Sequence, residues 1–219
     1  MKQAYDIDRL NLITYRGQKK KVIKSLYCRY LAKSHVVNCS AQSQTFYFVN
    51  FRGSCFTKTD FKNAVFYGCD FWGASFKSCF FQNAQFRGCV FMSCRFKSCD
   101  FSGTRFSYST IVNTSLTGCH NIDVSSGARI YSIYPTCKMS DSLIAALQSL
   151  KGNRNLKKNK LLFISDTNYN QLNLFLLQKR YGDNLPALLC KLSTYSTVKI
   201  TTYKKLERVL NKMQFSAII

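Results

Sequence analysis

The sequence is poor in the residues from which most catalytic sites are built. Its 219 residues include ten acidic residues, of which Glu207 is the single glutamate, and two histidines, His35 and His120. A cysteine nucleophile needs a histidine within hydrogen-bond reach, but Cys119 and His120 are adjacent and would point to opposite sides of an extended segment. The sequence also has no glycine-rich loop of the kind that binds phosphates. We therefore expect no enzymatic activity.

Long apolar runs are also missing. The most apolar stretch, near residues 172–177, is far shorter than the about 20 residues that a membrane-spanning helix requires. No apolar run follows Met1, so we expect no signal peptide. These absences predict a protein without a transmembrane segment and a cytoplasmic location.

What the sequence does contain is a five-residue period. Phenylalanine occupies every fifth position from Phe51 to Phe106, twelve times in succession, with Phe46 before the run and Ile111 and Leu116 after it. This period matches neither a helix nor an ordinary strand. It is typical of a repeat architecture, in which each short unit buries its apolar residue only by stacking on its neighbours.

A small residue stands two positions before each large one from Ala64 to Thr114, and Cys119 continues this column of small residues. Because side chains alternate along an extended segment, the small and the large residue point to the same side. The corner positions hold residues that tolerate turns, namely Gly53, Asn63, Gly68, Gly73, Asn83, Gly88, Gly103, Asn113 and Gly118. The pattern predicts a narrow solenoid with flat sides.

Residues 64–68 (Ala-Val-Phe-Tyr-Gly) and 99–103 (Cys-Asp-Phe-Ser-Gly) resemble the repeats of the pentapeptide-repeat family, and the resemblance covers about residues 46–120. It implies a right-handed quadrilateral β-helix, in which four pentapeptides make one turn and residues twenty apart stack about 4.8 Å from each other. The family includes quinolone-resistance proteins that act on DNA gyrase, and many members without an assigned activity. A fold does not by itself specify a function.

The sequence predicts three parts with different patterns. Residues 1–35 form a basic segment with a capping helix, residues 36–125 form the β-helix, and residues 126–219 form a basic α-helical C-terminal domain. The capping helix is predicted over residues 17–33, where one side would be apolar and the rest basic: Val22, Ile23, Leu26, Tyr27, Tyr30 and Leu31 against Lys19, Lys20, Lys21, Lys24, Arg29 and Lys33. Such a helix could cover the open end of the solenoid or lie on an anionic membrane or a nucleic-acid backbone.

Four helices are predicted in the C-terminal domain, over about residues 140–151, 167–181, 184–194 and 201–213. Ser140 or Asp141 would cap the first helix, Gly152 would end it, and Pro186 would lie in the first turn of the third. Residues 153–160 are predicted to form a basic loop.

Eleven cysteines are present, and seven of them lie in the inward column of small residues. There a thiol packs like a slightly larger alanine. A metal site at Cys89, Cys94 and Cys99 is not expected, because successive repeats lie on different walls and the spacing is not that of a metal site. Cys79 and Cys119 would stack on either side of Cys99 within reach of a disulfide, but a reducing cytosol favours free thiols. We expect no metal and no cofactor.

Charge is the second strong signal. The chain has 32 lysines and arginines against 10 acidic residues, a formal net charge of +22. The gyrase-directed members of the resembling family are strongly acidic and imitate DNA, and a surface this basic cannot do so. It can instead bind a phosphate backbone.

The twenty-residue register sorts the outward residues onto walls. One wall would carry only basic charges (Lys58, Lys77, Arg95 and Lys97), a second would carry Arg87 and Arg105 beside Tyr67, and a third would be close to neutral with Lys62, Asp60 and Asp100. We predict a nucleic-acid-binding surface made of the first two walls and two further basic segments: Lys58, Lys77, Arg95, Lys97, Arg87, Arg105, Lys19, Lys20, Lys21, Lys24, Arg154, Lys157, Lys158 and Lys160. The basic wall would otherwise serve only solubility.

The remaining wall would carry a partly apolar strip that contains the only tryptophan. We name Arg52, Trp72, Val90 and Met92 the Trp–Met strip. An exposed strip of this kind marks a partner surface unless another part of the chain covers it.

Three functions are consistent with these features. The first is a non-enzymatic protein that binds DNA or RNA, or a nucleoprotein complex, through phosphate contacts. The second is a scaffold or adaptor subunit of a larger assembly that docks an acidic or nucleoprotein partner through the Trp–Met strip. The third is a membrane-surface or host-directed effector protein, suggested by the basic amphipathic helix. The sequence predicts no small-molecule substrate.

Overall fold

The computed structural model describes residues 9–125, 127–193 and 198–215. The chain divides into two compact units, Met1–Ile133 and Tyr134–Ile219. In the described residues the first unit consists of short strands and turns, and the second consists mainly of helices.

The first unit has fourteen short strands in its described residues. In chain order they are β1 Asn11–Ile13, β2 Leu26–Tyr27, β3 His35–Val37, β4 Thr45–Tyr47, β5 Cys55–Thr57, β6 Val65–Tyr67, β7 Ser75–Lys77, β8 Gln85–Arg87, β9 Val90–Met92, β10 Arg95–Lys97, β11 Arg105–Ser107, β12 Thr110–Val112, β13 Ser115–Thr117 and β14 Arg129–Tyr131. All of the strand pairs are parallel, and within the phenylalanine run the partners are twenty residues apart, as in Phe56, Phe76 and Phe96.

Each coil of the solenoid contributes in turn to four walls, which we name A to D. Wall A is the six-stranded sheet β1-β3-β5-β7-β10-β13, and wall C is the five-stranded sheet β2-β4-β6-β8-β11. Wall D contains β9, β12 and β14 and continues through bridges between Tyr30, Asn50 and Asp70. Wall B is joined only by single bridges, at Val22, Ser40, Asp60, Phe80, Asp100 and His120. Walls A and C therefore face opposite directions.

The phenylalanine side chains form the core of the solenoid. Rings twenty residues apart stack nearly parallel, and the Phe76 and Phe96 centroids are 4.6 Å apart with 4° between the planes. Rings of successive repeats meet edge to face, as do Phe76 and Phe81 at 5.5 Å and 70°. Burial of each ring contributes about 1.5–3 kcal/mol, and each well-oriented pair adds about 0.5–1.5 kcal/mol. The repeat is therefore stabilised along the stack as well as across it.

The small inward column also satisfies backbone groups. The Cys89 thiol donates to the Phe66 carbonyl at 3.3 Å, and the Ser109 hydroxyl donates to the Phe86 carbonyl at 3.0 Å. Thr104 does the same with Phe81 at 2.7 Å. Each donor lies 23 residues after its acceptor. A small side chain with a donor thus fits the column without leaving a buried polar atom unpaired.

The predicted N-terminal capping helix is wrong. The described residues before 126 contain no helix, and the chain enters the solenoid at Asn11 rather than near residue 36. Ile23 and Leu31 donate backbone hydrogen bonds to the next coil, to the carbonyls of Ser40 at 2.8 Å and Asn50 at 2.9 Å. Pairs of apolar residues four apart fit a helix, but Leu26 and Leu31 are also five apart and continue the register of Phe46. Stacking on a preformed coil outweighs helix propensity here.

One irregular loop interrupts the first coil. Leu12 pairs with Val36, which is 24 residues later instead of 20. The extra residues form a loop at 15–20, which is closed by a hydrogen bond from the Lys21 amide to the Thr14 hydroxyl at 3.0 Å. Gly17 adopts a φ of +84° inside this loop. The extra length leaves the rest of the coil stack intact.

The second unit contains five α-helices in its described residues. They are α1 Asp141–Ser149, α2 Arg154–Lys158, α3 Gln171–Tyr181, α4 Leu185–Ser193 and α5 Tyr203–Phe215. The Ser140 hydroxyl accepts from the Leu143 amide at 3.3 Å, which confirms Ser140 as the cap of α1. The predicted loop at residues 153–160 instead contains α2, because the Asn153 side chain caps a new helix at the Leu156 amide.

Candidate nucleic-acid interface

Wall A brings four of the predicted basic residues together. Lys77 and Lys97 occupy equivalent positions on β7 and β10, and Arg95 lies beside Ser75 in the same register. Neighbouring strands are about 4.8 Å apart, so the three cations form a compact cluster. Lys58 lies at the corner that follows β5, with a φ of +49°. All four side chains are exposed.

No acidic side chain offsets this cluster on its own wall. The strands of wall A carry no aspartate or glutamate. Among the described residues, no carboxylate forms an ion pair with Lys58, Lys77, Arg95 or Lys97. A cluster of uncompensated cations raises the local potential and attracts anions.

The irregular loop extends the basic surface at one edge of wall A. The Asn38 side chain donates to the Thr14 carbonyl at 3.2 Å, so the loop leaves the solenoid at the corner column that holds Asn38 and Lys58. The loop and its closing residue carry three of the predicted residues, Lys19, Lys20 and Lys21, all exposed. The structure thus places the segment 15–20, which was predicted to begin a helix, at the edge of wall A. Lys24 lies beyond the wall B bridge and is not part of this edge.

Arg87 and Arg105 lie on wall C, on the opposite side of the solenoid. Arg87 stacks beside Tyr67, and Arg105 pairs in register with Gln85. The Arg87 guanidinium donates to the Gln85 side-chain carbonyl at 2.6 Å, which fixes its direction. One flat ligand therefore cannot contact both arginines and the wall A lysines.

Wall B is held close to neutral by aspartates that belong to its corners. The Asp60 carboxylate accepts from the Lys62 amide at 2.9 Å, and Asp100 accepts from the Ser102 hydroxyl at 2.6 Å. The Ser102 hydrogen bond lowers the pKa of Asp100. Both carboxylates stabilise turns, and the lowered pKa of Asp100 keeps its negative charge at neutral pH, so wall B does not favour phosphate.

The predicted basic residues of the second unit are partly engaged. Lys157 forms an ion pair with Asp166 at 2.6 Å, and this contact lowers the pKa of Asp166. The Lys160 ammonium donates to the Ile164 carbonyl at 2.5 Å. Arg154 and Lys158 lie on α2 with Lys157, and Lys160 follows the end of that helix. Lys157 and Lys160 thus have local structural roles, and the contribution of all four cations to a nucleic-acid site stays a prediction.

The Trp–Met strip on wall D exposes less apolar surface than its sequence suggests. Val90 is only 4% exposed, and Trp72 and Met92 are half-buried. The Arg52 guanidinium lies 4.0 Å from the centroid of the Trp72 ring, a cation–π contact. The strip is therefore a Trp–Arg pair with limited exposure, and its role in docking stays a prediction.

The buried cysteines of the solenoid have a packing role in the structure. All eleven are free thiols, and burial raises the pKa of Cys94 to about 12. Burial likewise raises the pKa of Cys69 and Cys79. Such thiols stay protonated at neutral pH and make poor nucleophiles. Among the described residues no group of three or more His, Cys, Asp or Glu side chains is placed to hold a metal ion.

The membrane-surface hypothesis loses the helix on which it was based. Residues 17–33 form a loop and solenoid backbone instead of an amphipathic helix. In the part of the chain that the structure describes, none of the helices has the length and apolar character needed to cross a bilayer.

Comparisons with known proteins identify the repeats. A family model described as pentapeptide repeats matches residues 45–83, 73–107 and 84–120, with eight copies. A search of curated proteins finds no match. The second unit lies outside the matched residues.

Solved structures with similarity to the chain are also pentapeptide-repeat proteins. HetL, involved in heterocyst differentiation regulation in the cyanobacterium Nostoc, has a TM-score of 0.42 and 14% identity; the match covers 44% of this chain and 40% of HetL. A pentapeptide repeat protein from the Arabidopsis thaliana thylakoid lumen has a TM-score of 0.36 and 19% identity, over 63% of this chain and 83% of that protein. QnrB1, a plasmid-mediated fluoroquinolone resistance protein, in a trypsin-treated form has a TM-score of 0.27 and 23% identity, over 51% of this chain and 55% of QnrB1.

Proposed function

We propose that the protein binds nucleic acid through wall A, on a solenoid whose residues 45–120 match the pentapeptide-repeat family model, without catalysing a reaction. The repeat supplies a rigid, flat-sided support, and the outward residues supply the chemistry. The observation that carries the proposal is the cluster of Lys58, Lys77, Arg95 and Lys97 on a wall whose strands have no acid.

Contacts of this kind favour phosphate over bases. Lysine is a point charge, and contacts to the backbone position a protein on nucleic acid without selecting its sequence. Wall A is also flat, and it offers no protruding helix or ribbon that could enter a groove. The proposed binding is therefore largely independent of sequence. The loop cations Lys19, Lys20 and Lys21 lengthen the contact at one edge.

Charge reversal on wall A tests the proposal. We expect the double variant Lys77→Glu, Lys97→Glu to lower the affinity for a fluorescent DNA or RNA duplex at least about tenfold, since hydrogen bonds to charged groups contribute about 1.5–3 kcal/mol each. Fluorescence anisotropy at low ionic strength measures this affinity. Both side chains are exposed, so circular dichroism should show an intact fold.

The matched control changes net charge equally at a different place. Lys138 and Lys179 are exposed residues of the second unit that belong to no predicted site, and the variant Lys138→Glu, Lys179→Glu should bind the duplex with nearly wild-type affinity. Equal losses in both double variants would show that net charge alone drives binding. Absence of binding by the unmodified protein at low salt would contradict the proposed function outright.

The Trp72–Arg52 pair supports a second candidate, the docking of a protein partner on wall D. Tryptophan and arginine side chains contribute much of the binding energy at many interfaces. Here the Arg52 guanidinium already lies 4.0 Å from the centroid of the Trp72 ring. In this case Trp72→Ala would release a defined partner in a pulldown and leave duplex affinity unchanged. If Trp72→Ala leaves such a partner bound, the second candidate fails.

A further inference from the structure

Wall C carries a column of aromatic side chains in register. Tyr27, Tyr47 and Tyr67 occupy the same outward position on β2, β4 and β6. Tyr27 is 59% exposed and Tyr47 is 43% exposed. The next position of this column, on β8, is Arg87. We name these four residues the tyrosine column.

Ring contacts hold the column in a defined arrangement. The Tyr47 and Tyr67 centroids are 5.6 Å apart, with 50° between their planes. Phe48 is buried at the adjacent corner and meets Tyr67 edge to face at 5.4 Å and Tyr27 at 6.1 Å. Because buried Phe48 supports both tyrosines, little side-chain entropy remains to be lost when a ligand binds.

The charged residues beside the column, Arg87 and Arg105, are both basic and lie on the outer side of wall C, as the tyrosines do. Arg87 continues the column, and Arg105 lies one strand further, next to Gln85. The Gln85 side chain accepts from Arg87 at 2.6 Å and directs its guanidinium. The strands of wall C carry no acidic residue. An aromatic surface that ends in arginines is complementary to a ligand with flat rings and regularly spaced negative charges.

We propose that the tyrosine column and Arg105 bind single-stranded nucleic acid, with unpaired bases stacked on the tyrosines and phosphates at the arginines. Stacking on exposed aromatic side chains, combined with a basic track, is how many proteins bind single strands without sequence preference. Paired bases are buried in their own helix and cannot stack on a protein surface in this way. The proposal deepens the proposed function, on which it rests, by assigning single strands to wall C and duplex phosphates to wall A.

The ring geometry determines where the bases lie. Tyr47 and Tyr67 are in direct contact at 5.6 Å, so no base can enter between them. The bases would therefore lie against the solvent-exposed surface of the rings. The strand runs along the stack of coils, from the tyrosines on β2, β4 and β6 towards Arg87 and Arg105.

Substitutions of Tyr47 test the proposal in the full-length chain. We expect Tyr47→Ala to weaken binding of a fluorescent homopyrimidine single strand, tested as DNA and as RNA, by about fivefold or more. Tyr47→Phe keeps the stacking ring and should bind within about twofold of wild type. Both variants should bind duplex with unchanged affinity, and thermal unfolding followed by circular dichroism should confirm that both fold.

A second pair of variants separates the two walls. Arg87→Ala should weaken binding of the single strand only, whereas Lys77→Glu with Lys97→Glu should weaken binding of the duplex most.

Unchanged single-strand affinity in a folded Tyr47→Ala protein would overturn the wall C site and leave the wall A proposal standing. Loss of both ligands in the wall A variant, with no effect of Tyr47→Ala, would show that single strands also bind on wall A. If Tyr47→Ala lowers the affinity for one of the two strands more than for the other, the more affected strand, DNA or RNA, is the ligand of wall C.

Discussion

From Ser54 to Thr114, the position two residues before each large inward residue is alanine, cysteine, serine or threonine, and the structure explains this choice. Alanine fills the space, whereas the other three also donate to a carbonyl of an earlier coil, as Cys94 does to Phe71 at 2.6 Å and Ser109 to Phe86 at 3.0 Å. The thiols are therefore packing residues with a weak donor. Their number does not indicate a disulfide framework.

The thiols differ in their accessibility to reagents. Cys55 and Cys190 are exposed, whereas Cys69, Cys89 and Cys94 are buried. Because burial raises the pKa of Cys94 to about 12, its thiolate is scarce at pH 8 as well as inaccessible. We expect iodoacetamide to modify Cys55 and Cys190 in the folded protein and the other three only in denaturant, as measured by mass spectrometry. Rapid modification of Cys94 under native conditions would contradict this packing.

Among the side chains of the candidate sites, the sequence predicts the arrangement wherever the twenty-residue register applies. The twenty-residue period correctly stacks Lys77 on Lys97 and Arg87 beside Tyr67. It missed the tyrosine column because Tyr27 lay in the wrongly predicted helix, which removed it from the register that Tyr47 and Tyr67 share. The signal was present in the twenty-residue spacing of these three residues.

At the level of the elements, the corner is the unit that decides how the chain turns. Gly73 adopts a φ of +66° there, and Asn63 and Asn83 adopt +57° and +56° at equivalent positions. A Cβ atom added at Gly73 would meet nothing within 4 Å. Substitution at this corner therefore tests backbone strain alone, without a steric clash.

We expect Gly73→Ala to lower the free energy of unfolding by about 1–2 kcal/mol, the cost of the left-handed conformation for an ordinary side chain. Asparagine tolerates that conformation through local hydrogen bonds, so Gly73→Asn should be less destabilising. Urea titrations of the two variants measure the difference. A Gly73→Ala protein as stable as Gly73→Asn would show that this corner is not strained.

The elements differ in how far sequence patterns predict them. The phenylalanine run predicts the strands from residue 46 onward, since a fivefold period has few alternative structures. The α1 cap at Ser140 and the first turn of α4 at Pro186 follow from local signals. The N-terminal coils do not, because residues 22–31 fit a helical and a fivefold pattern equally well. Only the neighbouring coil, which offers backbone partners, decides between them.

The net charge of +22 is not spread evenly over the protein, because some regions pair their basic residues with acids and others do not. In the second unit the only glutamate, Glu207, is buried and paired with Arg180 at 3.3 Å and with Lys204. Wall B is balanced by aspartates that hold its corners. The strands of wall A carry no acid to compensate its cations, so polyanions are attracted to the wall on which the proposed contacts are made.

Salt dependence measures how many of these cations contact phosphate. Each neutralised phosphate contributes about −0.9 to the slope of log K against log salt concentration. The four wall A cations alone predict a slope of about −4, and contacts by the three loop lysines would make the slope steeper, about −6. Anisotropy titrations over a range of salt concentrations give the slope, and Lys77→Glu with Lys97→Glu should reduce it by about two. A duplex affinity that is insensitive to salt would rule out phosphate contacts as the source of binding.

The irregular loop at residues 15–20 shows how such a chain can change length during evolution. Duplication of twenty residues adds one complete coil and lengthens all four walls without changing the side to which any residue points. Insertions of other lengths move every later residue to a different position in the coil, unless a corner accommodates the extra residues in a loop. The corner after β1 does so, since Leu12 pairs with Val36, which is 24 residues later. Walls can therefore grow by gene duplication, while new loops arise at corners. Each can acquire a binding surface independently of the other.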